Sequence, residues 1–159
     1  MANELEAKIK EIIPRSHSVK SFRLEGGQDI DYRAGQFLCV SLKNEPECKR
    51  YLSISSSPTE KGYIEFTKKI TQSDFSRVLD TLKVGDSLII QYPFGKFTLD
   101  ESYAKIAFLS GGIGITPIRS ISKYAVDMNL DTDMVLVYEN RSIRDIIFKE
   151  DFDSMQREH

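Results

Sequence analysis

The sequence predicts a six-stranded antiparallel barrel, closed or nearly closed, followed by a short parallel β-α-β-α unit. Three observations carry this reading. Up to about residue 100, apolar residues come in runs of strand length separated by turn residues. Beyond about residue 103, apolar runs alternate with segments of helical period. Between them "TLDESY" (98–103) is polar, carries neither period and reads as the linker.

The strand candidates are "EAKIKEII" (6–13), "SVKSFRL" (18–24), "QFLCVSL" (36–42), "YLSIS" (51–55), "YIEFTKKI" (63–70) and "SLIIQY" (87–92). The turns between them are "EGGQD", "RAGQ", "NEPE", "SSPTEKG" and "VGD". In the fifth run Ile64, Phe66 and Lys68 share one face, and Tyr63, Glu65 and Thr67 the other. One interruption is helical. Phe75, Val78, Leu79 and Leu82 recur at i, i+3, i+4 and i+7, Ser73 suits the N-cap, and Gly85 ends the run. In the second part, "AKIAFLS" leads into a helix over 117–128, then "DMVLVYEN", then a helix from about 142 to 156. Two strands joined through a helix are expected to be parallel, with a right-handed crossover.

Composition narrows the function. Charge is nearly balanced, with 22 basic and 24 acidic residues, which argues against nucleic acid or a membrane surface as partner. No run approaches the roughly 20 apolar residues of a membrane span. The start, "MANELEAKIKEI", lacks the apolar core of a secretory signal, so the expected compartment is the cytosol. Cys39 lies in an apolar run and is expected to be buried; Cys48 is placed in a polar loop. Two cysteines cannot hold an iron–sulfur cluster, and His17 and His159 are too far apart in sequence to suggest zinc, so no metal is expected.

Four motifs carry chemistry. In "LSGGIGITPIRS", Gly111, Gly112 and Gly114 leave the backbone bare between a strand and a helix, where free N–H groups and the helix dipole favour a phosphate. Thr116 suits the N-cap and Pro117 the first helical position. The same turn also fits a tight connection that binds nothing. In "KRYLSISSSP", Arg50 offers a planar fork for phosphate oxygens, and Ser53 and Ser55 would share a face suited to the N and O edge of a flat heteroaromatic. An ordinary polar strand face has the same pattern. "QSDFSRVL" is a second helix N-terminus, and "PFG" a turn closing the barrel.

Taken in order, "AGQF", "RYLS", "DFSRVL", "GD", "PFGKF" and "GGIGITPIRS" resemble the ferredoxin–NADP⁺ reductase-like flavoproteins. The resemblance runs from about residue 6 to the last residue. It implies a Greek-key FAD-binding barrel over residues 1–100 and the N-terminal half of an NAD(P)-binding α/β domain over 103–159. It also implies hydride transfer from NADH or NADPH to FAD, and passage of electrons to an unidentified acceptor. Arg50, Tyr51, Leu52 and Ser53 would form the flavin-binding stretch, with Arg50 on the pyrophosphate and Ser53 at the reactive flavin edge. Thr67 would lie along the flavin or its ribityl chain, and the amides of Phe75 and Ser76 on the pyrophosphate. Gly112, Gly114, Ile115 and Thr116 would hold the nicotinamide nucleotide, with Thr116 beside the reacting ring, and Asn140 and Arg141 would meet its adenosine half.

Two departures stand out. The family's aromatic position is filled by Leu52, which covers a ring by dispersion without aromatic stacking. Tyr51, next to it, points to the other face of a regular strand. And the second half of a nucleotide domain, with its later glycine-rich segment, has no counterpart here. A two-stranded parallel unit leaves edges and faces open, so the expectation is a fragment of a longer reductase, or a short form that packs through the α/β edge on a second copy or a partner, as a non-catalytic or electron-transfer module.

Overall fold

A computed structural model describes residues 3–26 and 30–158. Six strands, β1 (Asn3–Pro14), β2 (Val19–Glu25), β3 (Phe37–Leu42), β4 (Glu45–Ser53), β5 (Tyr63–Lys69) and β6 (Ser87–Phe94), form one antiparallel sheet. Its order is β4-β3-β6-β1-β2-β5. The late strand β6 enters between β1 and β3, so the sheet is a Greek key and not a meander. The two edges of the sheet are joined just past β4, where Ile54 bridges Phe66 and the Ser55 N–H donates to the Glu65 carbonyl, and helix α1 (Asp74–Thr81) packs beside this seam. Its Phe75 and Leu79 are fully buried in the barrel core with Phe22, Leu24, Leu38, Ile64, Phe66, Leu88 and Ile90. Phe22 and Phe66 stack at 5.2 Å between ring centroids.

The second unit has two strands, β7 (Lys105–Gly111) and β8 (Asp133–Glu139), parallel and in register from Lys105–Asp133 to Gly111–Glu139. Helices α2 (Ile115–Asp127) and α3 (Lys149–Glu158) contribute to the same apolar cluster as Ile106, Phe108, Met134 and Leu136. On the opposite face of the sheet Leu109 is 81 % exposed, Val135 61 % and Val137 57 %.

Several sequence expectations are corrected. The fourth strand is Glu45–Ser53, not 51–55, and its hairpin turns at Lys43–Asn44, not at "NEPE". Residues 45–50 face solvent on most sides of an edge strand, so no alternation announces it. Cys48 therefore lies in a strand, packed against the core, while Cys39 is buried as expected. The first strand begins earlier, at Asn3, and the last absorbs Pro93 and Phe94. A 3₁₀ turn over Gly112–Gly114 precedes α2, so Thr116 lies inside the helix and is not its cap. The final helix is not continuous from 142. A 3₁₀ turn over Ile143–Asp145 is followed by Phe148 at φ 61°, and α3 starts at Lys149. Phe148 spends that left-handed turn on burying its ring beneath Arg15 and Arg119. The expected "EGGQD" turn falls mainly on residues 27–29, outside the described residues.

Candidate functional site

The pleat of β4 sends Cys48, Arg50 and Leu52 to one side and Tyr51 and Ser53 to the other. Arg50 is exposed, its guanidinium 5.6 Å from the centroid of the Phe75 ring. Leu52 is half-buried against the barrel core. Tyr51 stands apart. It is 62 % exposed and packs edge-on against Phe37 and Phe94 on the outer surface. Ser53 Oγ has no hydrogen bond to another of the described residues and is half-buried at the end of the strand.

At the start of α1, Ser73 Oγ caps the helix by accepting from the Ser76 N–H at 3.3 Å. The hydroxyls of Thr71, Ser73 and Ser76 hydrogen-bond to one another at 3.1–3.2 Å. The Ser76 amide, expected to be free for a phosphate, is thus already used by its own cap. Phe75 is fully buried, so only its backbone can face a ligand. Lys68, which the sequence did not single out, is a further cation on β5, its ammonium donating to the Lys69 carbonyl at 2.6 Å. Burial, and then the neighbouring Arg50 charge, push its ammonium below the usual lysine range. In sequence it is a lone cation ending the apolar face of Ile64 and Phe66.

The other side of β5 is polar and buried. Thr67 Oγ1 hydrogen-bonds Ser21 at 2.7 Å and Ser55 at 2.8 Å. Ser55 also donates to Glu65 at 2.8 Å, and Arg15 and Arg23 bind the same carboxylate at 3.2 and 2.9 Å. The hydroxyls of Thr67 and Ser55 are therefore committed to structure, and Ser55 does not join Ser53 on a free face. Only the Thr67 backbone remains for a ligand.

The glycine turn faces a cleft of about 340 Å³ between the two units, lined by Gly111, Gly112, Ile113, Asn140 and Arg141 with Ser18 and Lys69 of the barrel. Gly112 has φ +51°, and a Cβ added at Gly111 or Gly112 would meet no atom within 4 Å, so the backbone opens onto free space. Ile115 is fully buried and offers only its backbone. Thr116 Oγ1 donates to the Ile113 carbonyl at 3.1 Å, and the Tyr138 hydroxyl donates to that of Gly112 at 3.1 Å. The buried Asn140 amide lies near Tyr138 but makes no hydrogen bond of good geometry, and Arg141 is exposed beside it. A buried amide left without such a bond is costly unless a ligand completes it. A larger cleft, about 820 Å³, lies between the first halves of β7 and β8 and helices α2 and α3.

The oxidoreductase FAD-binding domain profile matches residues 5–99, and the oxidoreductase NAD-binding domain profile matches 108–159. The first alone spans more than half the chain. This chain belongs to the oxidoreductase FAD-binding domain family. It is 35 % identical over 151 residues to the glycine betaine monooxygenase reductase subunit of Pseudomonas aeruginosa, covering 91 % of this chain and 41 % of that protein. It is 34 % identical over 124 residues to NADH oxidoreductase HCR of Escherichia coli, covering 76 % and 38 %. The chain thus spans about two-fifths of the length of these relatives. Among solved structures, phthalate dioxygenase reductase superposes with a TM-score of 0.83 at 23 % identity, covering 94 % of this chain and 48 % of that one. The ferredoxin–NADP⁺ reductase of Plasmodium falciparum gives 0.84 at 22 %, covering 98 % and 66 %. These two show the fold.

The residues fit the two cofactors that the domains name. Arg50 supplies an exposed cation beside Phe75 in the first turn of α1, the charge a pyrophosphate calls for. The bare glycine turn and the Asn140 amide supply an open, incompletely bonded cleft for a nucleotide. Among the described residues, no helix is long and apolar enough to cross a membrane.

Proposed function

We propose that the chain is the flavin side, and the first half of the nicotinamide side, of a reductase that passes a hydride from NADH or NADPH to FAD and electrons to an acceptor. Residues 1–100 form the FAD-binding domain and 103–159 the N-terminal half of the nucleotide domain. The observation that carries this reading is one juxtaposition. The glycine turn packs against β5, and α2 binds the carbonyls of Ser55 and Ser56 just beyond β4. The nucleotide turn is therefore held against the strands that bear Arg50, Leu52, Ser53 and Lys68.

FAD, when bound, supplies the two-electron chemistry. The chain's own residues bind and orient. Arg50 and Lys68 hold the pyrophosphate, with the backbone of Phe75 facing it. Leu52 covers one face of the ring system by dispersion. Ser53 offers its uncommitted hydroxyl to the reactive edge. Gly112, Gly114 and the Ile115 backbone admit the nicotinamide nucleotide, with Thr116 closing the end of the turn. Asn140 and Arg141 receive its adenosine half. Thr67 acts through its backbone and keeps Ser21 and Ser55 in place.

Purified protein with absorption near ~450 nm, bleached anaerobically by NADH or NADPH, is the expected result. A yellow protein that neither nucleotide bleaches would refute hydride transfer by this chain. A second reading, a flavin-binding or electron-transfer module completed by another chain or a second copy, is favoured by the bare face of Leu109, Val135 and Val137. Sedimentation of a monomer at tens of micromolar would count against self-association.

A further inference from the structure

Thr116, Arg119 and Ser120 stand at i, i+3 and i+4 of α2, so one face of the helix presents all three. Thr116 ends that face at the glycine turn. The other two residues reach the barrel. Arg119 is 3 % exposed, yet each of its five N–H groups finds an acceptor. Nη1 donates to the Ser55 carbonyl at 3.1 Å and to Glu60. Nη2 donates to Glu60 at 3.0 Å and Asp151 at 2.7 Å, and Nε donates to Asp151 at 3.1 Å. The Phe148 ring lies 5.7 Å away. Ser120 Oγ donates to the Ser56 carbonyl at 2.6 Å. The helix is registered on two consecutive carbonyls, two and three residues beyond Ser53.

A buried ion pair is a poor route to stability, because desolvation offsets most of its Coulomb energy. It is a good route to a fixed geometry. A guanidinium with every donor committed holds one position and one rotation, which a lysine ammonium does not. Hydride transfer depends steeply on the separation of donor and acceptor, and a misplacement of about 1 Å can cost about 100-fold.

We propose that Arg119 is a positioning residue that sets the spacing between the glycine turn and the flavin edge at Ser53, and through it the rate of hydride transfer. The rate part rests on the reductase reading above; the spacing part does not. Asp151 and Glu60 hold the guanidinium from the α3 side and the barrel side, so three segments far apart in sequence converge on one side chain.

The chain contains no tryptophan, so Ile113→Trp places a single reporter in the glycine turn. Bound FAD quenches its emission according to distance. In that background Arg119→Lys and Arg119→Met are expected to keep FAD affinity within about twofold and to lose much of the quenching. In the background without tryptophan they are expected to slow anaerobic flavin reduction by about 10- to 100-fold. Unchanged quenching and rate would overturn the proposal. So would a loss of FAD affinity in proportion to the loss of rate, the mark of a merely structural role. If Arg119→Met fails to fold, Glu60→Gln and Arg119→Lys carry the same comparison. If the parent protein itself is not reduced by either nucleotide, the reductase reading fails, and the quenching series still decides whether Arg119 sets the spacing.

Discussion

The two units of this chain solve the same problem with unequal means. The barrel curls six strands around one core and plugs the seam with α1, so that Phe22, Phe66 and Phe75 are fully buried. The nucleotide unit has two strands and covers one face only, leaving Leu109, Val135 and Val137 in solvent. A sheet of two strands is marginal on its own. What holds it is the barrel: Arg119 and Ser120 of α2 bind the Ser55 and Ser56 carbonyls, and Asp151 of α3 faces Arg15. The difference teaches that the barrel is the self-sufficient part, and that the nucleotide turn keeps its place because these polar contacts, and the apolar packing of Val19 and Ala34 with Ile115, Ile118 and Ile121, dock it.

The comparison can be broken most forcefully in the barrel core. Phe66→Ala removes a fully buried ring stacked on Phe22 and is expected to cost about 3–5 kcal/mol. Urea unfolding should then show both units lost together; a nucleotide unit that stays folded would show that it does not depend on the barrel. Arg50→Ala should weaken FAD by about 1.5–3 kcal/mol in a spectral titration, the scale of a charged hydrogen bond. Because Arg50 is exposed, thermal stability without FAD should not move.

Acid sharpens the contrast. Burial pushes the Glu60 carboxyl up, but its hydrogen bonds and charge pairing with Arg119 outweigh this and hold it below its ordinary 4.5. A carboxyl depressed by folding contributes stability above that value and loses it as pH falls through the lower, folded one. The docking of α2 should therefore loosen below pH 4.5 while the barrel persists, read by proteolysis in the 98–103 linker. One shared transition would erase the distinction. The smallest effect is expected of Leu52→Tyr, which should leave FAD affinity unchanged or raise it by about 0.5–1.5 kcal/mol. A marked loss in the same titration would mean that the site is built around the smaller side chain.

Local pattern alone determined much of this protein. Alternation and turn residues marked the barrel, the helical period of Phe75, Val78, Leu79 and Leu82 marked α1, and the bare glycines marked the nucleotide turn. These signals are local because strand pleat, helix period and glycine φ are local properties. Tertiary structure alone decided the rest. β4 is hidden in sequence because an edge strand exposed on most sides has no alternation to show. Ser55 and Ser56 read as a polar surface and are buried, because Glu65 and Arg119, ten and sixty-four residues away, bond Ser55, and Tyr32 and Ser120 bond Ser56. Ser21 and Ser55 likewise commit the Thr67 hydroxyl, and Glu60 and Asp151 turn Arg119, an ordinary helix residue in sequence, into the fixed point between the two units. Burial of a polar group depends on partners that chain topology brings from afar, and no short stretch of sequence contains them.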